Sequence, residues 1–201
     1  MNDVDILKKI EKKVLWLACW MIHNANHIRE NQDGLKVGGH QASSASIVSI
    51  MTALYFNILR PEDRVAVKPH ASPVFHAIQY LSGLQTKEKI EDFRGFGGAQ
   101  SYPSRTKDID DVDISTGSVG LGVAMTSFIS LIQDYIARKQ FFKNKPLGRM
   151  IALVGDAELD EGNVYECLQE GWKHDLRNVW WIIDYNRQSL DGVVHEGLSE
   201  R

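Results

Sequence analysis

Asp156 and Asn186 stand 30 residues apart, and each comes directly after an apolar run. Met150 to Val154 ends on Gly155-Asp156, and Asn178 to Ile183 ends on Asp184-Tyr185-Asn186. In open α/β sheets, ligands bind beyond the carboxyl ends of the strands, so small oxygen-bearing side chains at two such ends suggest chemistry. Thirty residues suffice for one strand-to-strand crossover containing a helix over Asn163 to Lys173, which can bring both side chains to one sheet edge. A carboxylate, an amide oxygen and a main-chain carbonyl are hard ligands, the set that Mg²⁺ accepts when it also binds phosphate oxygens and water. The N–H groups of the turn Gly155 to Glu158, and of the glycine-rich turn beginning at Gly117, would supply the donors that phosphate requires. A diphosphate held through magnesium is the expected ligand.

A plainer reading has Asp156 capping the next helix and Asn186 making a turn. Counting disposes of a calcium loop, because Asp156 at position 1 puts Glu161 where glycine belongs and Cys167 where the bidentate glutamate belongs. Gly117, Gly120 and Gly122 are spaced G-x-x-G-x-G, not as a dinucleotide fingerprint, and the chain has no P-loop.

The elements that must position these residues follow from periodicity. Apolar spacing from Ile6 to Ile28 predicts an amphipathic helix over 5–30, and Ala42 to Leu59, closed by Pro61, predicts a second. Arg64 to Val67 reads as a buried strand, and His70-Ala71-Ser72-Pro73 opens a helix through Leu81. Residues 94–115 lack periodicity and form a long loop, of the kind that is usually functional or disordered. After Gly117 to Gly122 a long helix runs to about Lys139, and a basic connector, Arg138 to Arg149, precedes the strand Met150 to Val154. Continuous apolar strands alternating with helices predict an α/β fold, a mostly parallel sheet with helices on both faces.

The 201 residues suit one domain, 43% hydrophobic and 24% charged. A net charge of -3 provides no field for nucleic acid, and no apolar run approaches a membrane span. The N-terminus lacks a secretory pattern, so a cytoplasmic protein is expected. Cys19 and Cys167 sit in helical patterns as buried reduced thiols.

At this point the residues resemble the transketolase superfamily of thiamine-diphosphate enzymes, which includes the homodimeric pyruvate dehydrogenase E1 component. The resemblance rests on Gly155-Asp156 with Asn186, and on "GGHQAS" at Gly38 to Ser43, "HASP" at His70 to Pro73, "SYP" at Ser101 to Pro103, "STGSVGLG" at Ser115 to Gly122 and "NRQSLDG" at Asn186 to Gly192. It implies thiamine diphosphate and Mg²⁺ as cofactors, with Asp156, Asn186 and the main-chain oxygen of Gln188 as metal ligands. Gly155, Ala157 and Glu158 would line the diphosphate turn, and Gly117 and Val119 would contact the aminopyrimidine. His40 and His70 match histidines that face the reactive carbon, and a side chain titrating near neutrality suits proton transfer there. His23, His27, His76, His174 and His195 are read as structural.

Three departures accompany the likeness: Ala157 replaces a glycine, Tyr185 replaces an asparagine, and Ser104-Arg105 lacks a histidine often found after "SYP". The family also needs a second domain whose glutamate hydrogen-bonds the aminopyrimidine. The chain is therefore expected to be a C-terminally incomplete diphosphate-binding domain over 1–201, inactive alone, completed by further chain, by a complementary subunit or within a homodimer. "HASP" and "GGHQAS" lean towards decarboxylation of a 2-oxo acid, and "STGS" towards ketol transfer between sugar phosphates. A non-catalytic scaffolding or regulatory relative, and a generic nucleotide-binding domain, are the readings from other classes.

Overall fold

The computed structural model describes residues 3–30, 34, 37–141, 145–189 and 192–193. Two compact units are present, one formed by Met1–Leu59 with Pro69–Ser115 and the other by Arg60–Lys68 with Thr116–Arg201.

The first unit is helical. Helix α1 (Asp3–His23) carries Asp3 and Asp5 in its first turn, where acidic side chains complement the helix dipole. It buries Val14, Ala18, Met21 and Ile22 along one stripe. The chain then makes a π-helical turn over Asn24–Ile28, so the expected helix over 5–30 ends in a widened turn. Asn26 accounts for part of the local geometry: its Oδ1 accepts from Gly38 N–H at 2.6 Å, and its Nδ2 donates to Gly39 O at 3.2 Å. Gly38 is required, because a Cβ there would strike the Ile22 carbonyl.

The single helix expected over 42–59 is instead broken into α2 (Gln41–Ala45), α3 (Val48–Ala53) and a π-helical turn, Leu54–Ile58. Serines at the break offer the backbone another partner, and Ser46 Oγ donates back to Ser43 O at 3.3 Å. Helix α4 (Ser72–Leu81), entered through a 3₁₀ turn at Pro69–Ala71, is buried from Ser72 to Gln79 and packs against α1. A short helix, α5 (Lys87–Glu91), capped by Thr86, lies where periodicity gave no element. Beyond it the 94–115 loop is held by specific bonds: Asp108 accepts from Gln100 N–H at 2.9 Å and from Ser104 N–H at 2.8 Å.

The second unit is built on a three-stranded parallel sheet in the order β1 (Arg64–Ala66), β2 (Met150–Gly155), β3 (Val179–Asp184). Every side chain from Met150 to Val154 is buried, so both faces of β2 are covered, as its uninterrupted apolar run requires. Helix α6 (Leu121–Arg138) crosses all three strands, and α7 (Gly162–Lys173) joins β2 to β3. Val123, Val164 and Cys167 pack on Ala152 and Val154. A short antiparallel pair, β4 (Gln188–Ser189) with β5 (Gly192–Val193), follows β3 and was not expected.

Asp63 locks the start of the sheet. It accepts from Arg149 N–H at 2.7 Å, Arg149 Nε at 3.0 Å and Arg60 N–H at 2.9 Å, and its side chain is fully buried. Cys167 is buried, whereas Cys19 is only partly so, and both thiols are free. Among the described residues no helix is long and apolar enough to cross a membrane. His195 lies outside the described residues, as do Leu190 and Asp191 of the "NRQSLDG" stretch.

Candidate functional site

The sheet register pairs Gly155 with Asp184, so the two strands end side by side. Asp156 opens a 3₁₀ turn, Asp156–Asp160, and is 5% exposed. Its Oδ1 accepts from Ala157 N–H at 3.0 Å, and its Oδ2 accepts from Arg187 N–H at 2.7 Å. That second bond spans the gap between the strands and puts the carboxylate against the backbone next to Asn186. Arg187 reaches this position in the left-handed region (φ 59°), turning the chain back towards Gln188, which opens β4 opposite Val193. Asp156, Asn186 and Gln188 thus belong to a single turn region at the carboxyl edge of the sheet.

The capping reading of Asp156 is met only in part. The Asp156 carboxylate bonds the N–H of the adjacent Ala157, whereas α7 does not begin until Gly162. Ala157 lies in the 3₁₀ turn and is not among the described residues with positive φ, so its methyl group costs no backbone strain.

Glu158 occupies two of the donors expected to hold phosphate. Its Oε2 accepts from Gly155 N–H at 3.1 Å and its Oε1 from Gly120 N–H at 2.7 Å, at the N-terminus of α6. The two turns therefore converge on one carboxylate. Gly120 must be glycine there: its φ is 80°, and a Cβ would strike the Asn163 side chain. Gly117 and Val119 form the preceding turn, with Val119 exposed, and Thr116 Oγ1 anchors it by donating to Val67 O at 2.8 Å.

His40 and His70 come together within the helical unit. His40 is the residue before α2, and His70 sits in the 3₁₀ turn before α4. Their rings meet edge to face with centroids 6.4 Å apart, and both side chains are exposed. The "GGHQAS" and "HASP" stretches thus present two imidazoles at one place. His76, by contrast, is fully buried, facing Asp110 through Nδ1 and Gln100 O through Nε2 at 2.7 Å, as a structural histidine should be. His23 and His27 are exposed and face one another with centroids 5.0 Å apart, and His174 lies 3.5 Å from Glu170.

Sequence reasoning missed Lys68 and Asp184. Both are buried, with Lys68 Nζ 2.5 Å from Asp184 Oδ2, and the same oxygen accepts from Asn186 Nδ2 at 3.1 Å. The available signal was a lone lysine closing the apolar "VAV" run and an aspartate closing "VWWIID".

The donor set fits a magnesium diphosphate. Asp156 is a buried carboxylate whose hydrogen-bond partners are main-chain N–H groups, and no cationic side chain pairs with it among the described residues. A buried anion without a counter-ion is costly unless a cation joins it. Among the described residues no group of three or more His, Cys, Asp or Glu side chains could hold a metal ion. One carboxylate with neutral oxygens suits Mg²⁺, which retains water and takes the rest of its shell from phosphate.

Pyruvate dehydrogenase E1 components from Mycolicibacterium smegmatis and Pseudomonas aeruginosa are 28% and 29% identical to the chain over 204 residues each, covering 96% of it. The chain spans about a fifth of their length, 21% and 22% respectively. Transketolase from Leishmania mexicana superposes with a TM-score of 0.78 at 20% identity, covering 93% of this chain and 28% of that one. A mutant transketolase from Pichia stipitis, in complex with xylulose 5-phosphate, gives 0.78 at 22% identity, covering 94% of this chain and 28% of the other. Residues 37–201 match the family described as transketolase, thiamine diphosphate binding domain, and the chain belongs to that family.

Proposed function

We propose that the chain is the diphosphate- and Mg²⁺-binding part of an enzyme that cleaves a C–C bond next to a carbonyl, with 2-oxo acid decarboxylation as the leading reaction. The observation that carries the reading is the buried Asp156 carboxylate bonded to Arg187 N–H, beside Asn186. In this reading Asp156, the Asn186 amide and the main-chain oxygen of Gln188 hold the metal. The turn at Gly155, Ala157 and Glu158 faces the diphosphate, and Gly117 and Val119 offer main-chain contacts to the aminopyrimidine. Bound thiamine diphosphate supplies the electron sink for carbanion chemistry. His40 and His70, whose exposed rings meet edge to face, exchange protons with substrate.

E1 relatives matching 96% of the chain favour the decarboxylase reading. Ketol transfer between sugar phosphates is the second reading, favoured by the transketolase fold match at a TM-score of 0.78. The small-molecule substrate, a homodimer or a complementary subunit that completes the site, and a cytoplasmic location all belong to this proposal. Two assays test it on the full-length protein. Turnover of pyruvate with an artificial electron acceptor supports decarboxylation, whereas turnover of a ketose phosphate with an aldose acceptor supports ketol transfer. Calorimetric titration with thiamine diphosphate and Mg²⁺ should show saturable binding that Asp156→Ala weakens by more than the roughly 10- to 100-fold typical of groups behind a metal ligand. No saturable binding to the parent would leave a non-catalytic relative as the better description.

A further inference from the structure

Lys68 and Asp184 form a buried ion pair, their side chains 4% and 5% exposed, that the chemistry above does not use. Charged side chains are almost never buried this fully without a partner, and burying the two together brings little net stability over an apolar pair of the same size. The pair therefore calls for an explanation beyond holding the fold. The geometry provides one. Asp184 Oδ2 accepts from Lys68 Nζ at 2.5 Å and from Asn186 Nδ2 at 3.1 Å, so the oxygen that Lys68 fixes also fixes the Asn186 amide. Asp184 bonds Asn186 a second time, its main-chain oxygen accepting from Asn186 N–H at 3.0 Å. Lys68 Nζ also lies 3.9 Å from the point where a Gly155 side chain would begin, so its ammonium sits against the turn that carries Asp156.

We propose that Lys68 and Asp184 are positioning residues for the divalent cation: the pair orients the Asn186 amide and backs the Gly155 turn, so that Asn186 and Asp156 present their oxygens to one ion. The proposal rests on the metal–diphosphate reading. Groups that hold a ligand from behind typically contribute 10- to 100-fold to metal affinity. An apolar pair would fill the same space and remove the Asp184 Oδ2 hydrogen bond to Asn186 Nδ2.

The test measures Mn²⁺ binding by electron paramagnetic resonance, with thiamine diphosphate at a fixed saturating concentration, in the full-length protein. Lys68→Met/Asp184→Leu removes both charges together, so the cofactor-free protein should melt close to the parent. Its half-saturating Mn²⁺ concentration should rise about 10- to 100-fold. A folded double variant whose Mn²⁺ isotherm overlays that of the parent overturns the proposal. Asp156→Ala, run alongside, separates the two levels of inference. If it abolishes Mn²⁺ binding while the double variant binds as the parent does, only the positioning role falls; if it too leaves the isotherm unchanged, the metal–diphosphate reading falls with it. Should the double variant not fold, Lys68→Arg carries the same expectation and the same overturning result, because a planar guanidinium keeps the charge but cannot reproduce the compact ammonium contact.

Discussion

Asp63, at the start of the sheet, and Asp110, in the loop packed on the helical unit, are both buried carboxylates with a nitrogenous side-chain partner, yet their acidities move in opposite directions. Burial alone would push Asp63 up, but the Arg149 guanidinium, the Arg149 and Arg60 N–H groups and the Arg60 side chain outweigh it and hold the carboxyl well below the usual range. Asp110 is pushed up by burial, and the opposing hydrogen bond and charge of His76 only partly offset this. Gln100 O can only accept, so His76 spends Nε2 as a donor there and meets Asp110 through Nδ1 alone. Number and permanence of donors, more than depth, decide whether a buried acid stays charged. The Asp156 carboxylate is likewise served by main-chain N–H groups, those of Ala157 and Arg187.

Removing the fixed cation should break the comparison most severely. Arg149→Met strips Asp63 of its principal partner and leaves a buried charge undercompensated, at a cost of about 3–5 kcal/mol. Chemical denaturation would measure it, and a loss below roughly 1 kcal/mol would mean that Arg60 and the main-chain donors suffice. In the helical unit the corresponding change is milder. His76→Phe keeps the ring's shape but deprives Gln100 O and Asp110 of hydrogen bonds, and Asp110 can escape by staying protonated. The expected loss is about 2 kcal/mol. Equal losses in the two variants would erase the distinction drawn between the sites.

The same distinction governs what was legible in the sequence. The three strands and the helices around them follow from apolar periodicity, because the strand interiors admit nothing else, as Met150 to Val154 shows. The place of Asp156 and Asn186 just past two strand ends was legible because strand ends are few and polar residues there stand out. The break near Ser46 and the π-helical turns at Asn24–Ile28 and Leu54–Ile58 were not, since each depends on side-chain bonds and packing that periodicity does not encode. Lys68 with Asp184, 116 residues apart, pairs only once β1, β2 and β3 align, so neither residue alone announced the other. The resemblance puts Glu158 in the diphosphate turn, but its bridge from Gly155 to Gly120 depends on where α6 begins in space.

The finest discrimination between the two acids is in pH dependence. Asp63 has a folded pKa below its unfolded value of about 3.9, so its stabilisation is complete above roughly pH 5 and is lost as the pH falls through 4 and lower. Asp63→Asn should lower stability at neutral pH and flatten this acid limb. Asp110 has the opposite sign. Its folded pKa lies above the unfolded value, so its contribution is complete below about pH 3.9 and is lost as the pH rises through the raised folded value. Asp110→Asn should therefore leave the acid limb intact and remove a decline at higher pH, making the variant relatively more stable towards neutrality than in acid. Urea melts of the parent and both variants at pH steps from 3 to 8 would resolve the two slopes, at roughly 1.4 kcal/mol per proton per pH unit. An acid limb that persists in Asp63→Asn but vanishes in Asp110→Asn would reverse the assignment of which carboxylate is held charged.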